Sequence, residues 1–227
     1  MNKQHIIIVA GGKGLRMGSD LPKQFIPLCG KPVLMHTIEA FCAYNSRIDI
    51  ILVLPFSHQG YWKELCQEYS FEIPHKIASG GETRFHSVKN GLKLVDEGWV
   101  GIHDGVRPLA SKSLISRCFE EAIQKKAVIP VIHSTDSLRK MDDNTHSHII
   151  DRSKIRLVQT PQVFSVDLLQ KAYRQKYDET FTDDASVVEF AGEKIYLTEG
   201  ETTNIKITTP MDLKIGELIL SKFDIAN

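Results

Sequence analysis

The sequence predicts an α/β fold built on a mostly parallel central sheet. Three observations carry that expectation. Short apolar runs of strand length, such as Ile6-Ile7-Ile8-Val9 and residues 48–54, alternate with stretches whose apolar residues recur at helical spacing. These runs lack the polar alternation of half-exposed strands, as expected of strands covered by helices on both faces. Glycines and charged residues cluster directly after several runs, where ligand sites form at the carboxyl edge of a parallel sheet.

The elements follow in order. The first strand leads into Ala10-Gly11-Gly12-Lys13-Gly14-Leu15-Arg16-Met17-Gly18-Ser19-Asp20-Leu21-Pro22-Lys23. Pro32 suits a first helical turn, and Val33, Leu34, Ile38 and Phe41 then share one helical face. Residues 48–54 form a strand stopped by Pro55, and residues 61–69 a helix with Trp62, Leu65 and Tyr69 inward. Short joins between such units imply right-handed crossovers. A helix follows Gly80-Gly81, with Val88, Leu92 and Val95 on one face. The run from Trp99 is a strand that ends in polar residues, His103 and Asp104. Residues 112–125 form an amphipathic helix with Leu114, Ile115, Cys118, Phe119 and Ile123 inward, and residues 127–132 another buried strand.

Residues 134–153 break the alternation. Two β-like pieces, 137–141 and 148–151, flank a turn at Asp143-Asn144 and suggest a hairpin arm. A lone hairpin is marginal in water, so the arm is expected to pack on a second subunit; a flexible surface hairpin is the alternative. Helices are then expected over residues 166–177 and from Thr182, a strand over 195–197, and a closing amphipathic helix from Pro210.

The 227 residues suit one α/β domain with a full core. The 28 basic residues balance 28 acidic ones, which excludes a broad cationic surface for nucleic acid but leaves room for local cationic pockets. Cys29, Cys42, Cys66 and Cys118 show no metal or redox spacing, and buried free thiols are expected, Cys42 falling at an apolar helical position. No signal peptide or apolar run of about 18 residues is evident, so no membrane association is expected and the reading is a reducing cytoplasm.

Three stretches carry candidate chemistry. The glycines after the first strand expose main-chain N–H groups to an anion, and Arg16 and Lys23 add cations. The spacing fits neither familiar phosphate loop, since the third position of Gly-x-Gly-x-x-Gly falls on Met17, so a structural turn stays open. Glu82 and Ser87 sit near a helix start, which fits either a ligand or a simple cap. Asp104, at the end of its strand, can hold a hydrated Mg²⁺ or serve as a satisfied turn carboxylate. Thr182 and Asp183 are good helix caps, and Arg152 in isolation is an ordinary surface charge.

Together these blocks resemble the 2-C-methyl-D-erythritol 4-phosphate cytidylyltransferase family. The matching segments are Ala-Gly-Gly-x-Gly-x-Arg-Met with Pro22-Lys23-Gln24-Phe25, Gly-Gly-x-x-Arg-x-x-Ser-Val from Gly80, and His-Asp-x-x-Arg-Pro from His103. Asp151-Arg152 ahead of Gln159-Thr160-Pro161-Gln162, and Asn-Ile-Lys-Ile-Thr-x-Pro-x-Asp-Leu from Asn204, complete the set. The resemblance implies a Rossmann-like nucleotidyltransferase domain over residues 1–227, with 134–153 as an arm that interlocks a homodimer and reaches the partner's site. It implies CTP and a polyol phosphate as substrates, the CDP-polyol and pyrophosphate as products, and Mg²⁺, in non-mevalonate isoprenoid synthesis. Arg16 and Lys23 are then catalytic. Ala10, Gly11, Gly12, Gly14, Gly81, Glu82, Ser87, Asp104 and Gly105 surround the nucleotide, with Asp104 on the metal. Arg107, Ser137, Arg152, Thr182, Asp183 and Lys206 serve the polyol phosphate.

The chain departs mildly at Gly105-Val106, where the family often has two alanines, and at Ser137 and Arg139 in the Asp-Thr-x-Lys segment. Ribitol-5-phosphate cytidylyltransferases share the first loop and the Asn-Ile-Lys ending, and Gly105-Val106 leans their way. Asp151-Arg152 and Thr-Asp-Asp-Ala-Ser lean towards methylerythritol phosphate. A non-catalytic nucleotide-binding protein is the rival from another class, and the retained Arg16, Lys23 and Asp104 argue against it.

Overall fold

The computed structural model describes residues 3–12 and 21–225, with side chains described as far as Ser221. Strand β1 (Gln4–Val9) lies inside the sheet and organises it. A short hairpin, β2 (Pro27–Leu28) and β3 (Lys31–Pro32), precedes α1 (Val33–Tyr44), β4 (Asp49–Leu54), α2 (Phe56–Glu68), β5 (Lys76–Ser79), α3 (Arg84–Leu92), β6 (Trp99–Asp104), α4 (Lys112–Lys125) and β7 (Ala127–His133). An arm of β8 (Leu138–Met141) and β9 (Ser147–Ile150) follows. The chain returns through β10 (Arg156–Val158) and β11 (Gln162–Ser165) to α5 (Val166–Ala172), α6 (Asp184–Phe190), β12 (Tyr196–Glu199) and α7 (Pro210–Ile225).

Strand β1 pairs in parallel with β4 on one edge and β6 on the other, and β5 extends the sheet beyond β4. On the far side, β11 runs antiparallel between β6 and β7. Strand β10 continues along the same edge of β7, and β12 pairs in parallel with the opposite edge. The sheet is therefore mostly parallel but not uniformly so. The chain leaves the end of β7 through the arm, and a short return has to run back against β7.

The sequence of β1 shows why this sheet is buried on both sides. Ile6 and Ile8 pack with α1, α2 and α4, while Ile7 packs on the other face with α3, α5 and α6. All three isoleucines are fully buried. Each such side chain contributes about 1.5–3 kcal/mol, so neither strand face tolerates polar alternation.

Some expected boundaries shift. Helix α2 begins directly after Pro55 rather than at residue 61, its exposed first turn carrying no apolar stripe. Helix α3 ends at Leu92, so buried Val95 lies in the following turn. Helix α5 stops at Ala172 rather than near 177, and the next residue, buried Tyr173, donates its hydroxyl to Asp184 at 2.6 Å. Ile123 of α4 is exposed, Cys118 is the buried thiol, and Cys29 is exposed, contrary to the expectation of buried thiols.

In the arm, β8 and β9 pair antiparallel from Leu138↔Ile150 to Met141↔Ser147. The Asp143 carboxylate closes the tip by accepting from the Thr145 and His146 N–H groups at 2.7 and 2.8 Å. Met141 and Ile149 leave apolar surface exposed on the arm. Among the described residues, no helix is long and apolar enough to cross a membrane.

Candidate active site

The chain leaves β1 towards β4 and β5, then crosses back to place β6 on the other side of β1. The connections diverge above the adjoining ends of β1 and β6, where Val9 pairs with Asp104. Such a switch point opens a crevice in doubly wound sheets. Two adjoining chambers of about 300 and 290 Å³ lie there. Gly11, Gly12, Lys23, Gly81, Glu82 and Ser87 line the first, and Arg107, Thr182 and Asp183 the second. Arg84, Asp104 and Lys206 line both. Gly14 and Arg16 lie outside the described residues.

The Lys23 turn is held by its two neighbours. Buried Gln24 donates from Nε2 to the Ala10 carbonyl at 2.9 Å, tying the turn to the end of β1. Phe25 drops into an aromatic box, edge-on to His58 and Tyr61 and stacked on Trp62. Trp62 is itself held, its indole N–H donating to His75 Nε2 at 2.9 Å. Lys23 is thereby left to line the cleft. The backbone is not left-handed at Gly11 or Gly12. A Cβ on Gly12 would instead lie 3.3 Å from Cε of Lys23, so glycine there makes room for the lysine stem.

The second loop is tightly folded. A Cβ on Gly81 would sit 2.4 Å from that of His86. The Gly81 N–H donates to Ser87 Oγ at 3.0 Å, and the Ser87 hydroxyl donates its one proton to the Thr83 carbonyl, also at 3.0 Å. Ser87 is thus left with acceptor capacity only. Thr83, not Ser87 or Glu82, is the cap of α3.

Asp104 meets three cations. Its Oδ2 lies 2.9 Å from Lys206 Nζ and 3.4 Å from Arg107 Nε, and Arg84 acts on it through charge. Burial pushes this carboxyl up, but Lys206, Arg84 and Arg107 outweigh burial and hold it well below the usual carboxylate range. Its side chain keeps 14 % exposure, on the cleft. Gly105, by contrast, lies beneath the cleft. Its N–H donates to Val9 O, its carbonyl accepts from Thr37, and an added Cβ would meet that of Ala10 at 2.8 Å.

Buried polar residues that the motifs contain, but to which the sequence reading gave no role, position these cations. Neutral His103 donates from Nε2 to Arg107 O at 3.0 Å, so Nδ1 accepts from the Thr160 hydroxyl at 2.9 Å. Thr160 in turn accepts from the Asp104 N–H. Asn204 donates to Thr160 O, Gln159 bridges to Glu201, and Arg107 Nη1 donates to Asn204 O at 2.8 Å. This network holds the segment that carries Lys206 against the end of β6.

His103 yields a prediction. Burial, against the Arg107 carbonyl, pushes its pKa from the ordinary 6.5 down to about 4. The unfolded chain binds the proton more readily, so the contribution to stability is complete above pH 6.5 and is lost as pH falls towards 4, up to about 3 kcal/mol. Thermal unfolding from pH 7 to 4 should show a steeper loss for the wild type than for His103→Gln. Parallel curves would remove His103 from that role.

Asp183 caps α6 in a reciprocal pair with Ser186, and its Oδ2 accepts from Gln162 at 2.8 Å. It lines the second chamber as a capping residue whose carboxylate is already engaged, next to exposed Thr182. Ser137 and Arg152 are not in the wall of either chamber. Arg152 donates to Thr135 O at the foot of the arm, so one chain does not bring these two residues to its own cleft.

Among the described residues, no group of three or more His, Cys, Asp or Glu side chains converges as a metal cage. Both cation contacts of Asp104 fall on Oδ2. A single carboxylate suits Mg²⁺ where waters and substrate phosphates complete the coordination.

A cleft with cations on either side of one carboxylate suits a reaction between two polyanions. With this sheet, it places the chain among the α/β nucleotidyltransferases. More narrowly, the chain belongs to the 2-C-methyl-D-erythritol 4-phosphate cytidylyltransferase family, whose model matches residues 4–222. The protein of that name from Bacteroides thetaiotaomicron is 59% identical over 219 residues, covering 96% of this chain and 100% of that protein. The one from Clostridium botulinum is 41% identical over 95% of this chain and 98% of its own length. The crystal structure of 4-diphosphocytidyl-2C-methyl-D-erythritol synthase from Anaerococcus prevotii superposes with a TM-score of 0.81 at 30% identity, over 97% of this chain and 96% of that one.

Proposed function

We propose that this cleft transfers a cytidylyl group from CTP to 2-C-methyl-D-erythritol 4-phosphate, in non-mevalonate isoprenoid precursor synthesis. The observation that carries the reading is the meeting of two chambers at Arg84, Asp104 and Lys206. CTP occupies the first chamber and the polyol phosphate the second. An oxygen of the acceptor phosphate forms a bond to the α-phosphorus, and the α–β P–O bond breaks with its electron pair leaving on pyrophosphate. The nucleophile is already anionic, so the work is positioning and charge neutralisation. Lys23 and, by family resemblance, Arg16 stabilise charge on the transferring and leaving groups. Magnesium, held by Asp104 and the phosphates, would supply further positive charge there. Ser87, as an acceptor only, suits the amino group of cytosine better than the carbonyl of uracil.

The protein acts as a cytoplasmic homodimer in this reading. The exposed Met141 and Ile149 of the arm support a second copy as its cover. Ser137 and Arg152 then serve the partner's acceptor chamber, and Arg107, Thr182, Asp183 and Lys206 serve their own.

Pyrophosphate release from CTP tests the reaction. Turnover is expected with 2-C-methyl-D-erythritol 4-phosphate and not with ribitol 5-phosphate; the reverse would replace the acceptor. Arg152→Ala and Lys206→Ala should each raise the KM for the polyol phosphate about tenfold or more, the worth of a charge-assisted contact. Mixing Arg152→Ala with Lys23→Ala subunits should recover activity, because one cleft of the mixed dimer then holds both residues. No recovery would place Arg152 in its own cleft.

A further inference from the structure

We infer that Arg84 is a binding residue for the acceptor's phosphate, held at the junction of the two chambers by buried Asp184. The inference rests on the reaction proposed above. Arg84 begins α3 and lines both chambers. Its Nη2 donates to Asp184 Oδ2 at 2.6 Å, while Tyr173 donates to Oδ1 at 2.6 Å. Both oxygens of a carboxylate with no exposure are therefore used, whereas the Arg84 side chain keeps 29 % exposure. Asp184 is held further by its backbone N–H, which donates to buried Gln162 at 3.1 Å. The anchor is rigid.

The hydrogen bond to Asp184 uses one of the five guanidinium N–H donors of Arg84. Burial disfavours the Arg84 charge, but Asp184 more than restores it, and Asp104 adds to the effect from within the cleft. A counter-ion kept only to neutralise Asp184 has no need to form part of both chamber walls. In the transfer step two anions approach at this junction. A planar guanidinium already pinned at one corner loses little freedom on gripping a phosphate with its other donors. The acceptor phosphate is the group that has to be held against repulsion from the triphosphate while its oxygen attacks.

Three variants separate binding from simple charge pairing: Arg84→Gln, Asp184→Asn and the double variant. Arg84→Gln is expected to raise the polyol-phosphate KM about tenfold or more and the CTP KM by less than about threefold. Its unfolding temperature should fall, because Asp184 is left unpaired. The double variant should regain unfolding temperature but keep the raised KM. Recovery of both together would reduce Arg84 to a counter-ion and overturn the inference, as would an equal rise in both KM values. Calorimetric titration with inorganic phosphate gives an independent decision. Binding to wild type that weakens at least tenfold in the double variant supports Arg84 even if the CTP assay is blank, in which case the proposed reaction alone fails. Equal binding to both overturns the inference.

Discussion

Replacing Lys23 by alanine is expected to lower kcat about 10²–10³-fold while weakening CTP binding far less. The turn is pre-set by Gln24 on Ala10 and Phe25 in its aromatic box, which fixes where the lysine enters the cleft before charge builds on the leaving pyrophosphate. A contact of that kind stabilises the transition state more than the bound nucleotide. Truncation leaves both anchors intact, and the unfolding temperature should change little. Pyrophosphate release and CTP calorimetry together read the split. Near-normal turnover, or a loss confined to CTP affinity, would take Lys23 out of the chemical step.

For Asp104→Asn the expected result is a loss of turnover of about 10³-fold that added magnesium does not rescue. The amide keeps the shape and removes the charge, leaving Lys206, Arg107 and Arg84 to repel one another across the cleft. The variant should also be less stable at neutral pH, by about 1–3 kcal/mol, less than for a fully enclosed pair because the site opens to water. The sign with pH follows from the depressed folded-state pKa. The wild-type advantage is complete above the ordinary value of 3.8 and is lost as pH falls below it, so the two unfolding temperatures should converge in acid. A gap that stays constant to low pH would show that the stability loss has another cause, and near-normal turnover would remove Asp104 from the reaction.

Much of this molecule is written in one dimension. Ile6, Ile7 and Ile8 have no polar partner at period two, and that alone demands cover on both faces of a strand. The apolar spacing of α4 sets its limits at Lys112–Lys125, because its stripe is long and unbroken. Candidate charges such as Lys23 and Asp104 are legible too, since they punctuate a glycine turn and a strand end, whereas Lys206 is legible only through the family motif that contains it.

What the chain could not declare locally is which of its polar residues support others. His103, Gln159, Thr160 and Asn204 act across 42 to 57 positions, through bonds that exist only once β6, the turn before β11 and the segment before α7 have met. The antiparallel course of β11 and the 100-residue reach from Arg84 to Asp184 likewise depend on how the returning chain fits beside β6 and α3. Periodicity reports burial against the nearest neighbours. Hydrogen-bond partners and the balance of charge around Asp104 depend on distances that only the assembled sheet fixes.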